Sequence, residues 1–173
     1  MERRPAEDVG AVLDALRAAP IMERSRVAAP PAVVWEHFAT KEGINAELMP
    51  LLAMTFPAEW ERLDVKDVTA GLSLFRSVLL LFGVLPIDLH RFAFLSVTPG
   101  DGFLESSSSL LHRNWIHERK LEAVPGGTEI TDRVHYRCRL PGLGFVLRPV
   151  IRCVFRHRHR RLLRHFGAVS SPL

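Results

Sequence analysis

The chain has 173 residues, 47% apolar and 24% charged, with a formal net charge of +4; that is length enough for one domain with a true core, and the composition excludes a disordered polymer. Arg3 and Arg4 are followed by no apolar stretch with a small-residue cleavage site, so no secretory signal is expected. The longest apolar run, 78–87, is interrupted by Gly83 and Pro86 and is too short to span a bilayer.

Residues 1–20 read as an N-terminal extension, with Val9, Val12, Leu13 and Leu16 at helical spacing up to Pro20. The domain itself is expected over 21–167, with a tail at 168–173. Residues 21–29 alternate in part and predict a first strand. Pro30-Pro31 stops it and opens a helix through about Thr40, carrying Val33, Val34, Trp35 and Phe38 at helical spacing. A second short helix is expected over 42–52, broken around Pro50. Residues 56–71 set Trp60 and Leu63 among charges and read as a long loop with a short strand or turn.

Beyond it the texture changes to five strands, at 72–81, 87–97, 102–110, 112–123 and 128–140. Gly83 with Pro86, Thr98-Pro99-Gly100-Asp101-Gly102 and Val124-Pro125-Gly126-Gly127 punctuate them, as short loops between antiparallel neighbours do. Pro141-Gly142 ends the meander. A long helix then runs to about Phe166, with Gly167 as its cap and Pro149 either starting its regular part or kinking it. This order predicts an α+β fold: a curved antiparallel sheet wrapped around a long C-terminal helix, with two short helices after the first strand and an apolar cavity between sheet and helix.

Four segments in the same order carry a family resemblance: 26–35 (RVAAPPAVVW), 115–119 (WIHER), 126–134 (GGTEITDRV) and 155–162 (FRHRHRRL). Over 21–167 the chain resembles the START-like (SRPBCC) superfamily, the helix-grip fold of the birch-pollen allergen, plant sterol carriers and bacterial polyketide cyclases, and in wording its bacterial branch. The resemblance implies a deep pocket for lipids, sterols, polyketides or similar apolar molecules. The superfamily shares no common catalytic residues, so the analogy warrants a pocket and not a reaction.

Strand parity sorts the candidate pocket residues. In 112–123 one face carries Arg113, Trp115, His117, Arg119 and Leu121, and the other His112, Asn114, Ile116 and Glu118. In 128–140 the inner face holds Ile130, Asp132, Val134 and Tyr136. Two registers remain open, one pairing Asp132 with Arg119 and one pairing it with His117. Either way a carboxylate faces inward beside a cation or an imidazole, as a structural ion pair or as a polar anchor in the cavity. On the last helix Leu147, Ile151, Val154, Phe155, Leu162 and Phe166 form an apolar stripe with Arg158 in its middle. The predicted ligand pocket is thus Trp115, His117, Arg119, Asp132, Val134, Tyr136, Ile151, Phe155, Arg158 and Leu162. Glu105 has ambiguous parity.

Residues 133–173 hold ten arginines and no acid. Arg148, Arg152, Arg156, Arg160 and Arg164 recur every fourth residue, which predicts a solvated basic face, with an anionic membrane surface as an alternative partner. No nucleic-acid motif is present, and no nucleic-acid partner is expected. His157 and His159 are assigned to this basic face rather than to a metal. Cys138 and Cys153 make no disulfide framework and suit a reducing cytoplasm. No metal, cofactor or catalytic motif is found, and nothing in the sequence sets an oligomeric state. The leading expectation is binding or carriage of a hydrophobic small molecule. The alternatives are a polyketide cyclase/dehydratase-type enzyme using cavity His, Asp, Arg and Tyr, and docking to a membrane or partner through the basic C-terminal helix and the apolar edge at 78–85.

Overall fold

The computed structural model describes residues 19–64 and 73–169. The helical spacing at Val9–Leu16 and the end of the 56–71 loop lie outside the described residues.

Strand β1 (Ile21–Val27) runs into Pro30-Pro31, where Pro31 occupies the first turn of α1 (Pro31–Phe38). Thr40 caps α2 (Lys41–Leu48) by accepting the Gly43 amide at 3.1 Å. This helix ends at Leu48, four residues before the expected end at 52, because the chain turns there into a strand, β2 (Leu52–Met54). Asn45 holds that turn like a ladder rung: its side chain donates to the Met54 carbonyl at 3.0 Å and accepts the Met54 amide at 2.8 Å.

Five long strands follow, β3 (Ser73–Leu81), β4 (Leu85–Thr98), β5 (Gly102–Ser109), β6 (His112–Val124) and β7 (Gly127–Cys138). Together with β1 and β2 they form one antiparallel sheet in the order β1-β7-β6-β5-β4-β3-β2, curled into a half-barrel. The helix α3 (Leu143–Phe166) lies in the half-barrel against β1 and β7. Gly142 and Gly167 bound it with positive φ, and the Gly167 amide donates back to the Leu163 carbonyl at 3.0 Å. Pro149 sits inside the helix, six residues past its start; it removes one donor near the exposed end without ending the helix. The expected α+β helix-grip architecture is the observed one.

The interior has two apolar clusters. Val27, Val34, Phe38, Leu121, Ile130 and Leu162 belong to one. Ile21, Val134, Ile151 and Phe155 make the other. On β1, β7 and α3 alike, the residues between the clusters are buried and polar: Ser25, Asp132 and His159.

Candidate functional site

A cavity of about 420 Å³ opens between the sheet and α3. Its wall is mainly apolar, with Phe92, Phe94 and Phe103 from the sheet, Phe38 and Leu48 from the short helices, and Val154 and Phe155 from α3. Rings meet along the wall in a continuous series: Trp60 with Phe75 (5.1 Å), Phe75 with Phe92 (5.1 Å) and Phe92 with His90 (4.3 Å). His90 in turn meets Trp115 edge-on at 5.9 Å. At one end the wall includes Phe82, Ile87, Val150 and Cys153, all exposed, so the cavity reaches the surface there.

The polar members of the wall belong to a buried network. His90 Nε2 lies 2.9 Å from Glu105 Oε1. His117 stands between two carboxylates, with Nδ1 3.5 Å from Glu105 and Nε2 3.0 Å from Asp132. Arg119 donates to Asp132 through Nε and Nη2, both at 2.8 Å, and grips Glu47 through Nη1 and Nη2, both at 2.9 Å. Arg158 closes on Oε2 of the same Glu47 through Nε at 3.0 Å. His159 bridges Ser25 (2.8 Å) and Asp132 (3.1 Å). Three carboxylates thus face two guanidiniums and three imidazoles, in the layer that separates the two apolar clusters. Taking charges out of water costs several kcal/mol each, and such a layer is tolerated because every charge is paired.

The pKa shifts follow from that pairing. Burial pushes the Asp132 and Glu47 carboxyls up, but the adjoining guanidiniums prevail and hold both below the usual carboxylate range, Asp132 far below. For Glu105, burial is again outweighed, here by hydrogen bonds from His117 and His90, and its carboxyl is held down to about 2. Burial presses Arg119 the other way, yet Asp132 and Glu47 raise it further. His112, also on the cavity wall, is lowered to about 4 by burial, with Asp88 opposing and the His90 charge assisting.

Of the residues expected in the pocket, the structure sets Trp115, His117, Ile151, Phe155 and Arg158 on the cavity wall. Arg119 and Asp132 lie behind His117, fully buried in the network. Val134 packs with Ile21, and Leu162 sits in the other cluster. Tyr136 packs beside Trp115 and donates its hydroxyl to the Gly144 carbonyl at 3.0 Å. Of the two registers left open for Asp132, the one pairing it with Arg119 is observed and His117 pairs with Val134; the Asp132 carboxylate still reaches His117 through its side chain.

Other residues depart from the expectation. Arg113 is exposed and His112 faces inward, because the β6–β7 register shifts between His112 and Asn114 and inverts parity at the strand's start. His159 is buried rather than part of the basic face. Its signal was in the sequence, since it lies four residues after Phe155 and three before Leu162 on the apolar stripe. Glu47 had no local signal, as its partners are 72 and 111 residues away. Asp88 and His90 were hidden because β4 leaves Ile87 and Leu89 exposed and buries the polar pair, against hydropathy.

A family profile described as Domain of unknown function (DUF8410) matches residues 25–166. The chain belongs to the DUF8410 family. No curated protein matches this DUF8410 member by sequence. Its fold is similar to that of protein CV1439 from Chromobacterium violaceum, at 14% identity and TM-score 0.63, covering 87% of this chain and 99% of that one. A START superfamily protein from Mycobacterium smegmatis aligns at 11% identity and TM-score 0.61, covering 86% and 97%. DynU16, a protein in the dynemicin biosynthetic locus, aligns at 17% identity and TM-score 0.56; the alignment covers 90% of this chain and half of DynU16. At these identities the likeness establishes the START-like fold for the DUF8410 chain. Among the described residues no helix is long and apolar enough to cross a membrane, and no His, Cys, Asp and Glu group has metal-binding geometry.

Proposed function

We propose that this protein binds an apolar small molecule, of lipid, sterol or polyketide character, in the cavity between the sheet and α3, and carries it without altering it. The supporting observation is the cavity: about 420 Å³ in volume, walled by aromatic and aliphatic side chains, with a few polar groups on one side. That is the size and lining of a small-molecule site. Trp115, His117, Ile151, Phe155 and Arg158 would touch the ligand; Arg119 and Asp132 would hold His117 in place. A cyclase or dehydratase needs a group free to move a proton. His117, the imidazole it would use, has both ring nitrogens engaged by buried carboxylates, Nδ1 3.5 Å from Glu105 and Nε2 3.0 Å from Asp132, which favours carriage over chemistry.

The test is fluorescence of N-phenyl-1-naphthylamine, an apolar probe, with wild type and with Val154→Trp, which fills the cavity from the helix side. Saturable enhancement by wild type and its loss in a folded Val154→Trp protein are expected. Equal enhancement by both proteins, or none by wild type, overturns the reading. Native mass spectrometry with solvent extraction then identifies what co-purifies.

A further inference from the structure

Large exposed apolar residues concentrate at the open end of the cavity. The β3–β4 hairpin presents Phe82, Val84 and Leu85 there, Val84 being 80% exposed. Leu110 lies beside this hairpin, its amide donating to the Leu89 carbonyl at 3.3 Å. Leu140 follows at the next corner, since the Arg139 amide donates to the Leu111 carbonyl at 3.0 Å. The first turns of α3 add Phe145, Val146 and Val150, with Phe145 89% exposed. Scattered exposed apolar side chains need no explanation; a rim of them around an opening marks a contact surface.

Among the described residues of the segments that carry this rim, exposed charge has one sign. In segments 73–91, 106–115 and 134–156 the sole carboxylate is Asp88, which is buried, while Arg91, Arg113, Arg137, Arg139 and Arg152 are exposed. Arg139 remains close to the rim, donating to the Ser109 carbonyl at 2.7 Å. An apolar rim set in a cationic belt fits a surface with an apolar interior beneath anionic headgroups. One turn farther from the rim on the same face of α3, Arg156 is neutralised by Glu23 at 3.1 Å.

We propose that the open end seats on an anionic lipid bilayer, with the β3–β4 hairpin and the start of α3 dipping among the headgroups, so that the cavity exchanges its ligand with lipid rather than with water. This rests on the cavity being the ligand site. The proposal explains why apolar side chains at the rim are left exposed and why no exposed carboxylate adjoins them in these segments.

Co-sedimentation with vesicles of phosphatidylcholine, alone or with phosphatidylglycerol, tests the seat. Wild type binds the anionic vesicles, more weakly at high salt, and leaves most protein unbound with the neutral ones. The double variant Val84→Asp/Phe145→Asp loses that binding while N-phenyl-1-naphthylamine, added without vesicles, still enters the cavity, because neither residue lines it. Arg113→Gln/Arg152→Gln weakens anionic binding by about fivefold per arginine, whereas Arg62→Gln, which removes the partner of Glu36 elsewhere on the surface, leaves it unchanged. Wild-type binding that survives the double aspartate variant, or no binding to anionic vesicles, overturns the proposal. So does a dimer in sedimentation velocity that the double variant dissolves, since the rim would then be covered by a second copy. Failure of the naphthylamine probe with wild type would instead refute the cavity reading.

Discussion

Asp132→Asn is the most informative perturbation of the interior. It preserves shape and removes one charge from a carboxylate that accepts four hydrogen bonds: from Arg119 twice, at 2.8 Å each, from His117 at 3.0 Å and from His159 at 3.1 Å. An asparagine presents an NH₂ where one carboxylate oxygen was. Whichever way the amide turns, that group faces an Arg119 donor and an imidazole, so at least one hydrogen bond becomes a donor–donor contact and the imidazole is restricted to the tautomer that accepts at Nε2. Arg119 keeps Glu47 but is left buried with half its counter-charge. Breaking a buried pair of this kind costs about 3–5 kcal/mol. For a chain of this length that lowers Tm by about 6–20 °C and takes a large share of a typical stability of about 5–15 kcal/mol. Glu118→Gln is the matched control: it opens the Glu118–Arg133 pair (3.1 Å), whose side chains are both over 40% exposed, and should cost less than about 1 kcal/mol. Urea unfolding at neutral pH, followed by tryptophan emission and circular dichroism together, measures both. If Asp132→Asn costs no more than Glu118→Gln, the buried layer is not an obligatory charge network and the argument fails.

Acidification should act in two stages. His112 binds a proton more weakly when folded, at about 4, than at its ordinary 6.5, so the unfolded chain protonates first and stability falls as pH drops between those values. Glu105, held down to about 2 from the carboxylate value of 4.5, adds a second loss over that lower range; each stage is at most about 3 kcal/mol. Urea midpoints taken from pH 8 to pH 4 in wild type and His112→Phe check the first stage, and an unchanged slope between pH 6.5 and 4 in the variant refutes it. At the α1–α2 junction, Gly43→Ala would drive a Cβ into the His37 carbonyl, costing about 1–3 kcal/mol as overpacking. Gly144→Ala, whose nearest neighbours would be 3.7 Å away, should be near neutral, and equal melting temperatures would show that the junction yields without strain.

How far the sequence could be read depended on the range of each interaction. Alternation on β6 from Trp115 to Leu121 and on β7 from Ile130 to Tyr136 is a local property, and it placed each inward face where the structure has it. The same rule failed at His112 and Arg113, because a register shift is a property of the pair of strands and leaves no mark on either alone. Glu105 was ambiguous for a different reason: the serines that follow it on β5 offer no hydropathy contrast from one face to the other. Arg158 and His159 are adjacent on one helix, and the sequence singled out only the first. Both point inward, since a helix packed in the concave side of a curled sheet buries a stripe wide enough for neighbours.

Glu47 shows what pattern reading misses. It sits in an eight-residue helix of mixed polarity, and its burial follows from two arginines on β6 and α3 that converge on it from far along the chain. Those arginines could be read as candidates, whereas the carboxylate that makes their burial tolerable could not. The converse holds at the open end. Phe82, Val84, Phe145 and Val146 are apolar, and the structure leaves them in water. Polar residues inside and apolar residues outside both go against the usual rule, and here they occupy different levels of the same half-barrel. The charged layer fixes β5, β6, β7, α2 and α3 to one another behind the cavity wall. The apolar rim lies beyond that layer, at the mouth of the cavity, where among the described residues no paired charge ties the β3–β4 hairpin to α3.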